Sequence, residues 1–191
     1  MSRPKEYFVY NSKDDLQRVL ITEEQIQDRV KQIAQQINKD YQKENNPCFV
    51  GILKGAFIFL ADLTRHLTIK HSVDFLSISS YGKSGAVSDT VRLIMDLRDP
   101  IEGRNVVIVE DILDSGKTLE YLYKILEQRK PASLKTCVLV KKTRDSVSFP
   151  IDYLGFEIPD VWVVGYGLDY AESYRTLPYI AELKEEIYRP G

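Results

Sequence analysis

The sequence contains only two cysteines in 191 residues. Cys48 and Cys137 lie far apart in ordinary apolar runs, with neither metal-ligand spacing nor the density of a disulfide framework. They read as reduced core thiols of a cytosolic protein. Histidine is equally scarce: His66 and His71 sit outside every motif and read as structural. Long apolar runs are absent. The most apolar stretch, Phe49 to Leu63, is interrupted by Lys54 and Asp62 and falls short of the roughly 20 residues that span a bilayer. The opening residues, Met1-Ser2-Arg3-Pro4-Lys5-Glu6, lack the apolar core of an export signal, so a cytoplasmic location without membrane contact is expected. No sign of charge dominates either, because 26 Lys+Arg face 28 Asp+Glu for a formal net charge of -2. Without a basic block there is no footprint for nucleic acid, whose affinity comes mostly from neutralised phosphates. That sum does not bear on small anions.

The composition that remains, 43% hydrophobic and 28% charged, is that of an ordinary globular chain. A chain of this length buries roughly 70% of its unfolded surface, so a single domain over residues 1–191 is expected. Thr22-Glu23-Glu24-Gln25 is a capping-box pattern, followed by Ile26, Val30, Ile33 and Ile37 at helical spacing. Cys48 to Leu53 is a short continuous apolar run, as a buried strand presents. A helix is expected over Ala56 to His66, strands over Val73 to Ser80 and Val91 to Leu97, and a polar, Gly- and Ser-rich mobile loop over Tyr81 to Thr90. Val106 to Val109 is fully apolar. After an acidic turn, Leu119, Leu122, Tyr123 and Leu126 follow at helical spacing until Pro131, and Leu134 to Val140 supplies the next strand.

Alternation of this kind predicts an α/β fold with a central, mainly parallel twisted sheet flanked by helices. The core is expected over about 20–150. A small hood subdomain is expected from about 151–191 together with the N-terminal segment.

In an open parallel sheet, ligands bind at the carboxyl ends of strands. The strand Val106 to Val109 delivers Glu110-Asp111-Ile112-Leu113-Asp114-Ser115-Gly116-Lys117-Thr118 there. Ser, Gly and Thr ahead of a helix offer amides and hydroxyls to a phosphate. The acids suit sugar hydroxyls or a magnesium ion, and Asp114 is a candidate to take a proton. Two plainer readings compete. A Walker-type loop requires glycine where this chain has Asp111, so that match is rejected. Helix capping accounts for one acid, but two adjacent carboxylates exceed what a cap requires.

Val107 to Leu119 resembles the phosphoribosyl-diphosphate-binding motif of type I phosphoribosyltransferases, in a form close to that of the hypoxanthine-guanine branch. Four further segments resemble the family in the same order. Leu53-Lys54-Gly55 is similar to its pyrophosphate loop, Ser80-Tyr81-Gly82 to the start of its mobile catalytic loop, and Leu139 to Thr143 to its purine-contacting segment. Gly155 to Tyr170, with Arg175 after it, is similar to the hood over the base.

The resemblance implies transfer of 5-phosphoribosyl from 5-phosphoribosyl-1-diphosphate to N9 of a 6-oxopurine, with Mg2+ as cofactor. Glu110 and Asp111 would hold the ribose hydroxyls directly or through the metal, and Asp114 would act at N7 as general acid/base. Ser115, Gly116, Lys117 and Thr118 would hold the 5-phosphate. Lys54 and Gly55, in a loop whose Lys54–Gly55 peptide is often cis in the family, would meet pyrophosphate with Ser80, Tyr81 and Arg175. Lys141 would donate to O6 and so reject adenine, whereas Lys142, pointing the other way, is expected to be solvated. Trp162 would stack on the purine, Val163 would bond its edge, and Asp169 would be a second metal-binding carboxylate. Asp160 and Glu172 read as surface or structural acids. The family forms oligomers, which implies a homodimer or homotetramer. A non-catalytic phosphoribosyl-diphosphate sensor on the same fold, or an orotate or uracil transferase, are the alternatives.

Overall fold

The computed structural model describes residues 13–43, 46–80, 91–144 and 149–189. A short 3-10 turn, Lys13–Asp15, leads into β1 (Leu16–Ile21) and then α1 (Glu23–Asp40). The start of α1 is fixed by its sequence. Thr22 accepts from the Gln25 amide while the Gln25 side chain accepts from the Thr22 amide, so the capping box closes as expected. The apolar stripe of α1 (Ile26, Val30, Ile33, Ala34 and Ile37) is fully buried.

The chain continues through β2 (Cys48–Leu53), α2 (Phe57–Arg65), β3 (Ser72–Ser80) and β4 (Val91–Met95). It then forms β5 (Asn105–Leu113), α3 (Lys117–Glu127), β6 (Ser133–Lys142) and β7 (Tyr153–Ile158). Among the described residues these strands make one sheet in the order β4-β3-β2-β5-β6-β7, parallel throughout except for the β3–β4 pair. The loop expected at 81–90 lies outside the described residues.

Both faces of this sheet are covered, which is why its central strands read as unbroken apolar runs. Along β5, Val107 and Val109 pack under α1 and α2 with Phe59, Leu60, Leu63 and Leu139. Val106 and Ile108 point the other way, onto Leu119, Leu122 and Leu126 of α3. The cysteines fall on opposite faces, Cys48 with the α3 layer and Cys137 with the α1 layer, both buried and free. Burial pushes both thiols above their ordinary pKa, so neither has thiolate character at neutral pH.

Two boundaries differ from the sequence expectation. The segment from Tyr153 to Ile158, assigned to the hood by its position in the sequence, is the sixth strand of the main sheet and pairs in parallel with β6. Its outer edge is covered by α1, whose Arg29 donates to the carbonyls of Leu154 at 2.6 Å and Gly155 at 3.0 Å. The second difference is that β5 does not stop at Val109. It continues to Leu113, paired with β6 as far as Lys141.

A separate small sheet forms from β1, β8 (Val163–Val164) and β9 (Ile180–Leu183) in the order β1-β9-β8, all antiparallel. The chain then ends its described part in a single helical turn, α4 (Glu185–Tyr188). Tyrosine hydroxyls fasten the outlying parts of the chain. Tyr166, in the turn after β8, donates to Asp62 of α2 at 2.7 Å, and Tyr153 donates to Asp40 of α1 at the same distance. Because β8 follows Trp162 directly, its position carries that ring to the carboxyl end of β5.

Candidate active site

Glu110 and Asp111 are the last acids a buried strand is expected to carry, yet both lie on β5, each 7% exposed. Their carboxyls share a hydrogen bond. Burial, followed by the charge of Asp111, raises the pKa of Glu110 far above its ordinary value. Asp111 is also raised by burial, against hydrogen bonds and the Arg175 charge that pull it down. One oxygen, Oε2 of Glu110, is buried without a partner among the described residues. An unpaired buried oxygen is costly, and here it sits at the mouth of the sheet where a ligand or cation can satisfy it.

The following turn is held by Gly116 in the left-handed region, φ 79°, which acts as N-cap of α3 without any side-chain cap. Asp114 therefore does not cap the helix, and the plain capping reading fails. The first amides of α3 have no carbonyl below them, as in any helix. At this helix start Ser115, Gly116, Thr118 and Leu119 line a cavity of about 160 Å³ that also touches Glu110, Ile112, Leu113 and Asp114.

A larger cavity, about 540 Å³, opens beside it, a size typical of small-molecule pockets. Its apolar walls include Ile112, Val161, Trp162, Val163 and Leu168, and its polar groups include Asp111, Asp114, Lys142, Arg144, Asp160 and Asp169. Ile112 and Asp114 border both cavities. Trp162 is 42% exposed and is steadied by Tyr188 of α4, stacked at 5.2 Å, and by the edge of Tyr170 at 5.5 Å.

The two lysines at the end of β6 exchange the settings expected of them. Lys142 is buried to 7% exposure, pairs with Asp114 at 3.1 Å and Asp160 at 3.4 Å, and lines the larger cavity. Lys141 instead sits beside its cross-strand neighbour Glu157 at 3.4 Å, outside both cavities. The expectation that Lys142 is solvated is thus overturned. Arg144 joins the cluster by pairing with Asp114 and Asp160. Asp160, read from sequence as a surface or structural acid, is exposed and also lines the larger cavity.

The other expected residues gather at Gly55. A Cβ placed there would lie 1.7 Å from Oδ2 of Asp111, so only glycine lets this loop close on β5. Gly167, φ 104°, approaches from the opposite side, where a Cβ would fall 2.0 Å from the Gly55 carbonyl oxygen. The cis peptide is between Leu53 and Lys54, one bond earlier than the Lys54–Gly55 bond expected. Lys54 pairs with Glu172 at 2.8 Å. Arg175 pairs with Asp169 at 2.9 Å and donates to the Gly167 carbonyl at 2.9 Å. Ser80 ends β3 opposite Val91, and Tyr81 lies outside the described residues. Sequence reasoning did not place Ile112, Lys142, Arg144 or Tyr188 on the wall of the larger cavity. The signal for Lys142 was the parity of β6, and for Ile112 its place between two acids of the motif; nothing in the sequence joined Tyr188 to Trp162.

A mainly parallel α/β sheet whose central strand ends in two buried acids and a turn before a helix, next to a cavity walled in part by Trp162, defines an α/β protein with a small-molecule cleft at its strand ends. Residues 21–171 match the family model for the phosphoribosyl transferase domain. The chain is 49% identical over 175 residues to a hypoxanthine-guanine phosphoribosyltransferase of Dictyostelium discoideum, covering 90% of this chain and 97% of the relative. It is 46% identical over 177 residues to the enzyme of that name from Bacillus subtilis, covering 92% and 98%. A crystal structure of a hypoxanthine phosphoribosyltransferase from Staphylococcus aureus superposes with a TM-score of 0.86 at 43% identity, covering 92% of this chain and 96% of that one. The chain belongs to the phosphoribosyltransferase family.

Proposed function

We propose that the protein is a purine salvage enzyme, transferring 5-phosphoribosyl from 5-phosphoribosyl-1-diphosphate to N9 of hypoxanthine and guanine, with IMP or GMP and pyrophosphate as products. The observation that carries this reading is that the two cavities meet at Ile112 and Asp114. A phosphoribosyl group held in the smaller and a purine in the larger would have C1 and N9 facing each other at that border.

In this reading the α3 amides with Ser115, Gly116, Lys117 and Thr118 hold the 5-phosphate. Glu110 and Asp111 hold the ribose, Trp162 and Ile112 sandwich the purine, and Val163 offers its backbone to the purine edge. Asp114 receives the N7 proton as N9 bonds to C1 and the C1–O bond to pyrophosphate breaks. The lysine that donates to O6 is assigned to Lys142, which lines the larger cavity, in place of Lys141. A 6-amino group is itself a donor and gives this ammonium nothing to bond, so adenine is rejected. Lys54, Gly55, Ser80, Tyr81 and Arg175 meet the departing pyrophosphate, where the guanidinium fork suits a diphosphate.

The acid pair fits a magnesium ion. Its ligands would be hard carboxylate oxygens, one of them unpartnered, and a cation relieves the charge that burial penalises. Mg2+ keeps waters and substrate oxygens in its shell, so two carboxylates would be enough to hold it beside the diphosphate. When bound, the ion neutralises charge on the diphosphate. Asp169 is assigned to a second such ion. The same reading makes the protein a cytoplasmic homodimer or homotetramer. Among the described residues, no helix is long and apolar enough to cross a membrane.

The test is a panel of hypoxanthine, guanine, xanthine and adenine with phosphoribosyl diphosphate and magnesium, following both nucleotide and pyrophosphate. Turnover of hypoxanthine or guanine without adenine is expected. Failure of every oxopurine refutes the proposal, and phosphoribosyl-diphosphate binding without turnover would favour a sensor instead.

A further inference from the structure

The two cations assigned to pyrophosphate are held by the chain itself. The Lys54 ammonium donates to Oε2 of Glu172 at 2.8 Å, and the Arg175 guanidinium reaches the same oxygen at 3.3 Å. Lys54 follows β2 in the main sheet, whereas Arg175 and Glu172 belong to the loop between β8 and β9. One carboxylate oxygen therefore bridges two cations brought together from distant parts of the chain, as a phosphate oxygen would.

Glu172 sits in a tight two-residue turn. Ala171 and Glu172 both take left-handed conformations, φ 49° and 64°, which residues with a Cβ adopt only against a steric penalty. The turn is closed by reciprocal hydrogen bonds between Tyr170 and Ser173 at 3.3 and 2.9 Å. The Glu172 amide is also held by Oδ2 of Asp169 at 2.9 Å. Left-handed φ at both central residues is what a two-residue hairpin turn demands, and the turn fixes where Glu172 leaves the backbone. The carboxyl is held below its usual range, first by Lys54 and then by Arg175, so it is charged at neutral pH.

We propose that Glu172 is an internal counter-ion of the pyrophosphate site, occupying Lys54 and Arg175 between turnovers, yielding them to the incoming diphosphate and reclaiming them as pyrophosphate departs. This rests on the assignment of Lys54 and Arg175 to pyrophosphate. A tethered competitor lowers the apparent affinity for the diphosphate and, by the same interaction, favours product release. Because the ion pair is largely open to water, its effect is modest, on the order of 2- to 5-fold.

The test uses the full-length chain carrying Glu172→Gln, which keeps shape and removes charge, with Glu172→Asp as the charge-retaining control. Inorganic pyrophosphate is titrated calorimetrically into each, and KM is measured for phosphoribosyl diphosphate and hypoxanthine. Glu172→Gln is expected to bind pyrophosphate about 2- to 5-fold tighter with hypoxanthine KM unchanged, and Glu172→Asp to stay near the parent. Unchanged or weaker binding in Glu172→Gln overturns the inference, as does equal tightening in Glu172→Asp. Lys54→Gln and Arg175→Gln are titrated alongside. If both weaken pyrophosphate binding while Glu172→Gln has no effect, only the counter-ion inference falls. If neither does, the pyrophosphate assignment falls and takes the inference with it.

Discussion

Two adjacent lysines end β6, and strand parity decides which of them can reach a ligand. Lys141 shares a face with Glu157 across the β6–β7 pair, so Lys142 must point to the other face, where Asp114 and Asp160 wait. A hydrogen bond from a charged donor contributes about 1.5–3 kcal/mol, so Lys142→Gln should lower kcat/KM for hypoxanthine by about 10- to 100-fold. Lys141→Gln should change it by less than about 3-fold, the scale of an exposed pair. Steady-state kinetics of the two variants settle the matter; a larger loss in Lys141→Gln would return the O6 role to that residue. The motif made a lysine at this strand end legible and its resemblance pointed to Lys141, but which neighbour faces the cavity follows from strand parity, which depends on where pairing stops. Trp162 shows the opposite case. Its place in the pocket was readable from the residues around it, whereas the Tyr188 ring that stacks on it comes from a helical turn far along the chain.

At the level of elements, local chemistry was the readable part. The Thr22–Gln25 box, the stripe of α1 and the apolar runs of β2, β5 and β6 all follow from spacing within a few residues. Pairing between distant segments was not readable: β7 was placed in the hood because no local signal says which sheet it joins. A further long-range tie lies on the surface, where Asp96 after β4 pairs with Arg129 after α3 at 2.8 Å. The Arg129 guanidinium, with help from the Leu97 amide, holds the Asp96 carboxyl below its ordinary pKa despite some burial. The folded pKa is therefore lower than the unfolded one, so the tie stabilises fully above about pH 4 and is lost as pH falls through the folded value. Both side chains are substantially solvated, which limits the pair to about 0.5–1 kcal/mol. Asp96→Asn should lower stability by that amount at pH 7 in urea unfolding, and the two proteins should converge as the pH falls below the depressed pKa of Asp96. A gap that persists or widens in acid would show that the loss has another source.

For the whole molecule, a net charge of -2 conceals strong local separation. Lys54 and Arg175 lie against Glu172 and Asp169, and Lys142 and Arg144 against Asp114 and Asp160, around buried Glu110 and Asp111. Composition gave no warning of this because opposite charges in one cleft cancel in the sum, while each still acts on a ligand within a few ångströms. The two proposed substrates should then respond differently to salt. In the proposed assignment phosphoribosyl diphosphate would meet its cations partly in open solvent, where Lys54 is 64% exposed, while a neutral purine would meet a stacked ring and one buried lysine. Raising the ionic strength from about 0.05 to 0.5 M shortens the screening length to below about 5 Å. It should raise KM for phosphoribosyl diphosphate by about 3- to 10-fold and leave hypoxanthine KM within about 2-fold. Initial rates with each substrate varied at saturating levels of the other give both constants. Equal sensitivity of the two would mean that salt acts on the protein as a whole rather than on the anion site, and a flat response in both would place the diphosphate away from Lys54 and Arg175.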